Sequence, residues 1–281
     1  DKAKTSRHAE ANRTVSDATL SRTFMRSLPH CFHMASVTVV AEDVSLDEPT
    51  LVEGLPGVGL VGKIATDHLV ETFDMTYYAS IDCEGLPRIS VYEESSRDLR
   101  PPVRLYADEE RDLVALQSDV PVSASASSDF ASCISNWVEN HDATAIYMSG
   151  LPNQKEADEI PSLYGVASGD AGDRLDEQDI DLPTERGAVS GPTGALLHEA
   201  GARDLDALGL IVESDPQFPD PKAARILIEH GIGPLTDIDV GTDDLVDRAE
   251  EITEQKEQLA QRMQDAESDE SSQAQPLRMF Q

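Results

Sequence analysis

Short runs of β-branched and apolar residues alternate with longer amphipathic stretches between residues 35 and 235. The short runs predict strands, and the longer stretches, with apolar residues at helical spacing, predict helices. The predicted strands are 36–41, 49–53, 76–82, 88–92, 103–107, 112–118, 144–149, 163–167 and 207–213, and the predicted helices are 60–73, 124–140, 192–202 and 220–230. Strands interleaved with helices favour one α/β domain, with a mostly parallel sheet covered on both faces.

A different apolar pattern begins near Gly241, where Thr242, Asp243 and Asp244 offer a helix cap and an acidic first turn. The following positions have the 4-3-4-3-4-3 spacing of a heptad seam, interrupted by one lysine: Leu245, Ala249, Ile252, Lys256, Leu259, Met263 and Ala266. This spacing predicts a coiled-coil helix over residues 241–266 that joins copies of the chain. The alternative is a helix that lies on its own domain.

The chain ends in a predicted flexible tail, residues 267–281. Its first part, ESDESSQAQ, has no large apolar residue and is predicted to be disordered. Leu277, Met279 and Phe280 then form an apolar end that has no nearby core. Exposed apolar groups at the end of a flexible tether suit insertion into a partner's pocket.

The charge of the chain narrows the classes of partner. With 54 acidic against 22 basic residues in 281, the net charge is -32. Such a field repels nucleic acid and anionic lipid surfaces, and the apolar stretches are too short to span a membrane. Acids spread over the whole chain are typical of a protein from a salt-loving organism.

Three separated cysteines predict neither a disulfide framework nor a zinc site, which favours a reducing cytoplasm.

The first 33 residues have the opposite charge to the rest. They carry a net charge of +3, which leaves -35 for the remainder. We interpret residues 1–33 as an extension outside the folded unit, and residues 34–240 as the α/β domain. A targeting peptide is the alternative, but the segment lacks the apolar central region that a secretory signal requires.

Two glycine-rich turns are candidate binding sites. Gly57, Gly59 and Gly62 match G-x-G-x-x-G between a predicted strand and helix, and Asp82 follows about 20 residues later, as in a dinucleotide fingerprint. The same glycines also serve a tight strand-to-helix turn, which Gly54, Leu55 and Pro56 lengthen. We expect a structural role without a bound cofactor, and nucleotide binding is the alternative.

The second turn precedes the predicted helix at 192–202. Gly191 and Gly194 lie there, and the turn can hold an anion or simply connect a strand to a helix, with Pro192 at the first helical position. We favour the simple connection. The acidic residues between 170 and 181 lack the ligand order of a calcium loop and predict a solvated loop.

Several of these stretches together resemble the proteasome assembly chaperone family in its archaeal form. The resemblance covers about residues 36–233 and lies in LVEGLPGVGLVGK (51–63), PSLYGVA (161–167), SGPTGALL (190–197) with the strand 207–213, and DPKAARILIE (220–229). It implies a homo-oligomeric, nucleoside-phosphorylase-like α/β/α domain without established catalysis that associates with proteasome α subunits. Some relatives end in a hydrophobic residue, a tyrosine and any last residue, a tail that inserts between α subunits. Here Met279, Phe280 and Gln281 take those places.

The resulting hypothesis is a non-enzymatic, cytoplasmic, oligomeric protein that binds the proteasome core particle through its tail. It would act either as an assembly chaperone or as an ATP-independent cap. The alternative is an enzyme or sensor that binds a nucleotide or nucleoside at the glycine turns, because fold alone does not decide function.

Overall fold

The structure, a computed structural model, describes residues 36–92, 96–153, 159–217 and 219–245. The predicted extension at 1–33, most of the predicted heptad helix and the predicted tail lie outside these residues. No helix of the described part is long and apolar enough to cross a membrane.

The strands follow the predicted ranges closely. Each of the nine predicted strands overlaps a strand of the structure, and one further two-residue strand was not predicted. The strands are β1 (Ser36–Val39), β2 (Thr50–Gly54), β3 (Thr76–Asp82), β4 (Val91–Tyr92), β5 (Leu99–Arg100), β6 (Val103–Asp108), β7 (Leu113–Ser118), β8 (Thr144–Pro152), β9 (Leu163–Ser168) and β10 (Ala207–Ser214).

Eight of these strands form one mixed sheet in the order β1-β3-β6-β7-β2-β8-β10-β9, while β4 and β5 form a separate two-stranded sheet. The four central strands β7, β2, β8 and β10 are parallel. The flanking pairs, from β1 to β7 on one side and β10 with β9 on the other, are antiparallel. The predicted parallel arrangement therefore describes the centre of the sheet but not its flanks.

The helices cover both faces of the sheet. They are α1 (Val61–Thr72), α2 (Ser127–Asn140), α3 (Gly172–Glu177), α4 (Gly191–Arg203) and α5 (Pro221–Leu227), followed by a π-helical turn at Ile228–Ile232 and α6 (Gly233–Thr236). Phe130, Ile134 and Leu196 of α2 and α4 belong to one buried apolar cluster, and Leu69 and Leu227 of α1 and α5 to a second. The expected layering, with helices on either side of the sheet, is present in the described residues.

One local prediction was wrong. The acidic stretch between 170 and 181, expected to be a solvated loop, contains the short helix α3. Ala171, Leu175 and Ile180 are buried in the core, so three apolar residues among the acids fix this stretch on the domain. The acids take the outward positions of an amphipathic turn, a pattern that is too short to detect by periodicity alone.

Candidate functional site at the carboxyl edge of the sheet

Both glycine turns lie at the same edge of the sheet. Because β7, β2, β8 and β10 are parallel, their carboxyl ends meet at one edge, which is where ligands bind in open α/β folds. The first turn, residues 54–62, follows β2. The second, residues 190–194, lies at the start of α4, whose first turn reaches β2 through the hydrogen bond described below.

The first turn is filled by the protein's own atoms. Gly59 has a left-handed backbone (φ 62°), and a Cβ there would overlap the hydroxyl of Ser214 at the end of β10. A Cβ on Gly150 of β8 would lie 2.5 Å from the carbonyl oxygen of Val58. The carbonyl of Gly59 also accepts a hydrogen bond of 2.8 Å from the amide of Asp220. The turn thus packs directly on the ends of β8 and β10.

The other glycines of this turn differ in what surrounds them. A Cβ on Gly54 would overlap the Thr66 side chain, and one on Gly62 would lie 3.3 Å from the Glu53 carbonyl oxygen. A Cβ on Gly57 would meet nothing within 4 Å, and the backbone there is extended, so sterics do not require glycine at Gly57. Leu60 also has a left-handed backbone (φ 51°), a conformation that is uncommon for residues other than glycine.

The dinucleotide fingerprint is incomplete in three dimensions. Asp82 ends β3, and β7 and β6 lie between β3 and the turn's own strand β2. At a strand spacing of about 4.8 Å, Asp82 is offset by about 14 Å from β2. A ribose-binding acid would stand close to the glycine turn, so the sequence spacing alone was misleading here.

The second turn contacts the first through a buried glutamate. Gly191 has a left-handed backbone (φ 70°), and a Cβ on Gly194 would overlap the carbonyl of Val189. These two glycines accommodate the tight backbone turn that leads into α4. From its first turn, the hydroxyl of Thr193 donates a hydrogen bond of 3.0 Å to Oε1 of Glu53 in β2.

Glu53 is the centre of this arrangement. Its side chain is only 1% exposed, yet its carboxyl group accepts hydrogen bonds from Thr193, from the amide of Leu55 (3.2 Å) and from the amide of Met148 (2.9 Å). Burial raises the pKa of Glu53 to about 7, and the hydrogen bonds from Met148, Thr193 and Leu55 act in the opposite direction. One carboxyl group therefore ties β2, β8 and both glycine turns together.

Tyr147 lies beside Glu53 on the same face of the sheet. Val52 and Ile146 are the last paired residues of β2 and β8, so Glu53 and Tyr147 occupy the next position in each strand. The Tyr147 hydroxyl is buried and has no hydrogen-bond partner among the described residues. Burial, with a smaller contribution from the charge of Glu53, raises the pKa of Tyr147. Its phenol is therefore a neutral group under ordinary conditions.

An ion network near the same edge connects α1 with β7 and β6. Lys63 forms ion pairs with Asp67 (2.9 Å) and Asp119 (3.7 Å), and Gln117 at the end of β7 donates a hydrogen bond of 2.8 Å to Asp67. Arg104 of β6 makes a short contact with Asp119. Burial raises the pKa of Asp67 despite the attraction of Lys63. These contacts fix α1 on β7.

Within the described residues, no group of three His, Cys, Asp or Glu side chains could hold a metal ion.

Sequence reasoning missed Glu53 and Tyr147. The available signal was a lone acid in the otherwise apolar run Leu-Val-Glu-Gly of a central strand. A buried strand excludes charge unless the charge is hydrogen-bonded, so an acid at such a position indicates a partner. That partner, Thr193, is 140 residues away in the sequence, and only the fold brings the two together.

The predicted seam and tail residues are mostly beyond what the structure describes. Leu245 is described: it is 3% exposed and belongs to the same buried cluster as Leu69 of α1 and Leu227 of α5. The heptad prediction and its alternative both remain open for the other seam positions. Ala249, Ile252, Leu259 and Met263, with the tail residues Met279, Phe280 and Gln281, lie outside the described residues.

Comparison with known sequences identifies one family. The sequence profile of the PAC2 family matches residues 51–260. An uncharacterized protein of Methanocaldococcus jannaschii is 25% identical over 224 residues, which are 78% of this chain and 88% of that protein. A second uncharacterized protein of the same organism is 25% identical over 222 residues, 78% of this chain and 86% of that one.

Solved structures share the fold. The chain is similar to Pyrococcus furiosus PbaA, described as an archaeal homolog of proteasome-assembly chaperone, with a TM-score of 0.70, 24% identity, and coverage of 83% of this chain and 99% of that one. It is also similar to Pyrococcus furiosus PbaB, described as an archaeal proteasome activator, with a TM-score of 0.65, 20% identity, and coverage of 81% and 99%.

Proposed function

Because the chain belongs to the PAC2 family, we propose that it is a non-enzymatic proteasome-binding protein, either an assembly chaperone or an ATP-independent cap of the core particle. The observation that carries this proposal is the family match over residues 51–260, which covers both glycine turns and, apart from β1 and Thr50 of β2, the strands of the main sheet. It agrees with the resemblance noted in the sequence. Two proteins with the same fold, PbaA and PbaB, are described as a homolog of proteasome-assembly chaperone and as a proteasome activator, which is why we propose the proteasome as the partner.

The geometry of the carboxyl edge supports a binding protein rather than an enzyme. The first turn rests on β8 and β10, where a Cβ at Gly59 would overlap Ser214, and Asp82 is remote from the turn. The Glu53 carboxyl is enclosed, and three donors of the protein itself occupy its oxygens. A catalytic acid or base needs access to a substrate proton, which an enclosed group lacks.

The partner we propose is the α subunits of the proteasome core particle. Docking takes place through the C-terminal residues Met279, Phe280 and Gln281, with residues 267–275 as the tether. Phe280 places a ring in a pocket but has no hydroxyl to donate, unlike the tyrosine of the family's tail. In this proposal the protein is a homo-oligomer. Several tethered tails on one assembly would then raise the effective concentration of tails at the α subunits of the core particle.

Binding to purified proteasome α subunits, measured for tail variants of the full chain in molar salt, tests this proposal. A buried aromatic anchor contributes on the order of 2 kcal/mol, so Phe280→Ala should weaken binding roughly 30-fold. Phe280→Tyr should preserve or strengthen it. Gln281→Ala is the matched control, because the family's pattern accepts any last residue, and it should bind like the unaltered chain.

Two results would count against parts of the proposal in different ways. Undiminished binding after removal of residues 279–281 would move the contact to the α/β domain. Failure of the unaltered chain to bind any α subunit would contradict the function itself.

A further inference from the structure

The small sheet of β4 and β5 forms an arm with one bare apolar face. In this antiparallel pair, Tyr92 stands opposite Leu99 and Val91 opposite Arg100. Successive side chains of a strand point to opposite faces, so Tyr92 and Leu99 share one face. Tyr92 is 80% exposed and Leu99 70% exposed. We define residues 88–92 and 97–100 as the arm.

The other face of the arm is anchored to the domain. The Arg100 guanidinium lies 4.9 Å from the ring centroid of Tyr77 and donates a hydrogen bond of 2.8 Å to the hydroxyl of Tyr106. Because a two-stranded sheet is marginal by itself, this anchor gives the arm a fixed orientation. Tyr92 and Leu99 consequently face away from the domain.

The arm is also the place where this acidic chain is locally neutral. Residues 88–100 contain three arginines and three acids, in a chain whose net charge is -32. Arg88 and Arg97 are exposed, and within the described residues neither forms an ion pair. A surface with apolar side chains and outward arginines, free of net negative charge, suits contact with an acidic, apolar partner.

A cleft of this kind lies at the opposite edge of the sheet. It has a volume of about 360 Å³ and lies between β9, the end of α3 and the π-helical turn. Its apolar lining includes Leu163, Ile226 and Ile160, the last of which is 72% exposed. Asp179 and Asp181 form its acidic rim. We define these five residues and their immediate neighbours as the cleft.

The arm of one molecule cannot reach its own cleft. The arm connects β3 to β6, whereas the cleft adjoins β9, and β7, β2, β8 and β10 separate the two. At about 4.8 Å for each strand, the distance across the sheet is more than 20 Å. Two complementary surfaces at opposite ends of one chain produce head-to-tail association between copies.

We propose that the arm of one copy, led by Tyr92 and Leu99, docks in the cleft of the next copy. Arg88 and Arg97 then face the acidic rim of Asp179 and Asp181. Such a heterologous contact leaves one arm and one cleft free at the ends of any open chain, and the assembly closes into a ring if the rotation permits. This inference rests on the homo-oligomer within the proposed function but not on proteasome docking.

Complementation between two variants tests the contact directly. The arm variant Tyr92→Asp with Leu99→Asp keeps an intact cleft, and the cleft variant Ile160→Asp with Ile226→Asp keeps an intact arm. Light scattering of the full chain in molar salt should find an oligomer for the unaltered protein and a monomer for each variant. An equimolar mixture of the two variants should form a heterodimer, because one functional arm and one functional cleft remain.

Controls separate the contact from misfolding and from the proteasome. Val40→Asp, at an exposed apolar position outside both surfaces, should leave the oligomer unchanged. Each monomeric variant must remain folded, as shown by a cooperative thermal unfolding transition. If Ile226→Asp abolishes that transition, Ile160→Asp alone serves as the cleft variant. A monomeric unaltered chain, oligomers that persist in both variants, or a mixture that stays monomeric would each overturn the proposal. Binding of the monomeric variants to α subunits through the tail would persist at lower avidity, which distinguishes the two claims.

Discussion

At the scale of single residues, Gly59 is the position where the first turn is most constrained. Its φ of 62° and the adjacent Ser214 hydroxyl both oppose a side chain. We expect Gly59→Ala to lower the free energy of unfolding by about 2 to 5 kcal/mol, from backbone strain plus overpacking. Chemical denaturation in molar salt measures this.

Gly57→Ala is the matched control in the same turn. Open space and extended backbone surround Gly57, so the change should stay within about 0.5 kcal/mol. Equal losses in the two variants would mean that the turn is constrained by something other than the packing at β10.

Glu53 should give the protein a pH-dependent stability. Burial raises the pKa of Glu53 from its usual 4.5 to about 7 in the folded protein, so the folded state retains a proton that the unfolded state releases. The stabilisation from this group is complete below pH 4.5 and is lost as the pH rises to about 7. The expected loss is about 3 kcal/mol.

The pH dependence of Glu53→Gln isolates this contribution from that of the many other acids. Glutamine does not titrate, so the difference in unfolding free energy between the unaltered chain and the variant should change by about 3 kcal/mol from pH 4.5 to 7. Parallel stability curves for the two proteins over that interval would mean that the pKa of Glu53 is the same in the folded and unfolded protein.

The residue scale also marks a limit of sequence reasoning. The glycines of both turns were visible in the sequence because glycine is a strong signal by itself. Glu53 was not, since one acid among 54 acidic residues is not informative until its three donors are known. The acidic composition of the chain hides buried acids among surface acids.

At the scale of elements, Leu245 separates the two interpretations of the C-terminal heptads. Since it is buried in the same apolar cluster as residues of α1 and α5, Leu245→Ala should lower the free energy of unfolding by about 2 to 4 kcal/mol. The loss should be the same at all protein concentrations, because the contact lies within one molecule. Leu182→Ala, at an exposed leucine, is the control and should have an effect within about 0.5 kcal/mol.

A loss that appeared only at low protein concentration would instead assign Leu245 to an interface between copies. The remaining seam positions, from Ala249 to Met263, stay a prediction. For them the double change Ile252→Asp with Leu259→Asp should loosen any assembly that depends on the seam.

Most elements were predictable, but the short strand β5 and the short helix α3 were not. The helices α1, α2 and α4 and the central strands have enough residues for a period of 3.6 or 2 to repeat. The two-residue strand β5 and the six-residue helix α3 do not. The direction of the flanking strands was also beyond the sequence, because an antiparallel edge strand has the same local pattern as a parallel one.

At the scale of the whole molecule, the two glycine turns at the carboxyl edge of the sheet pack against the protein's own residues. Glu53 joins the two turns, and the first turn rests on β8 and β10. Two apolar surfaces of the described residues lie away from this edge: the arm beside β3 and β6, and the cleft beside β9. This arrangement is consistent with the proposed role of binding other subunits.

Co-sedimentation of the purified full chain with purified proteasome core particles, titrated in molar salt, tests the central claim most directly. We expect saturable binding with a fixed number of chains for each core particle, and weaker binding after removal of residues 279–281. A full chain that remains in the unbound fraction at every core-particle concentration, while its fold and oligomeric state are intact, would contradict the account.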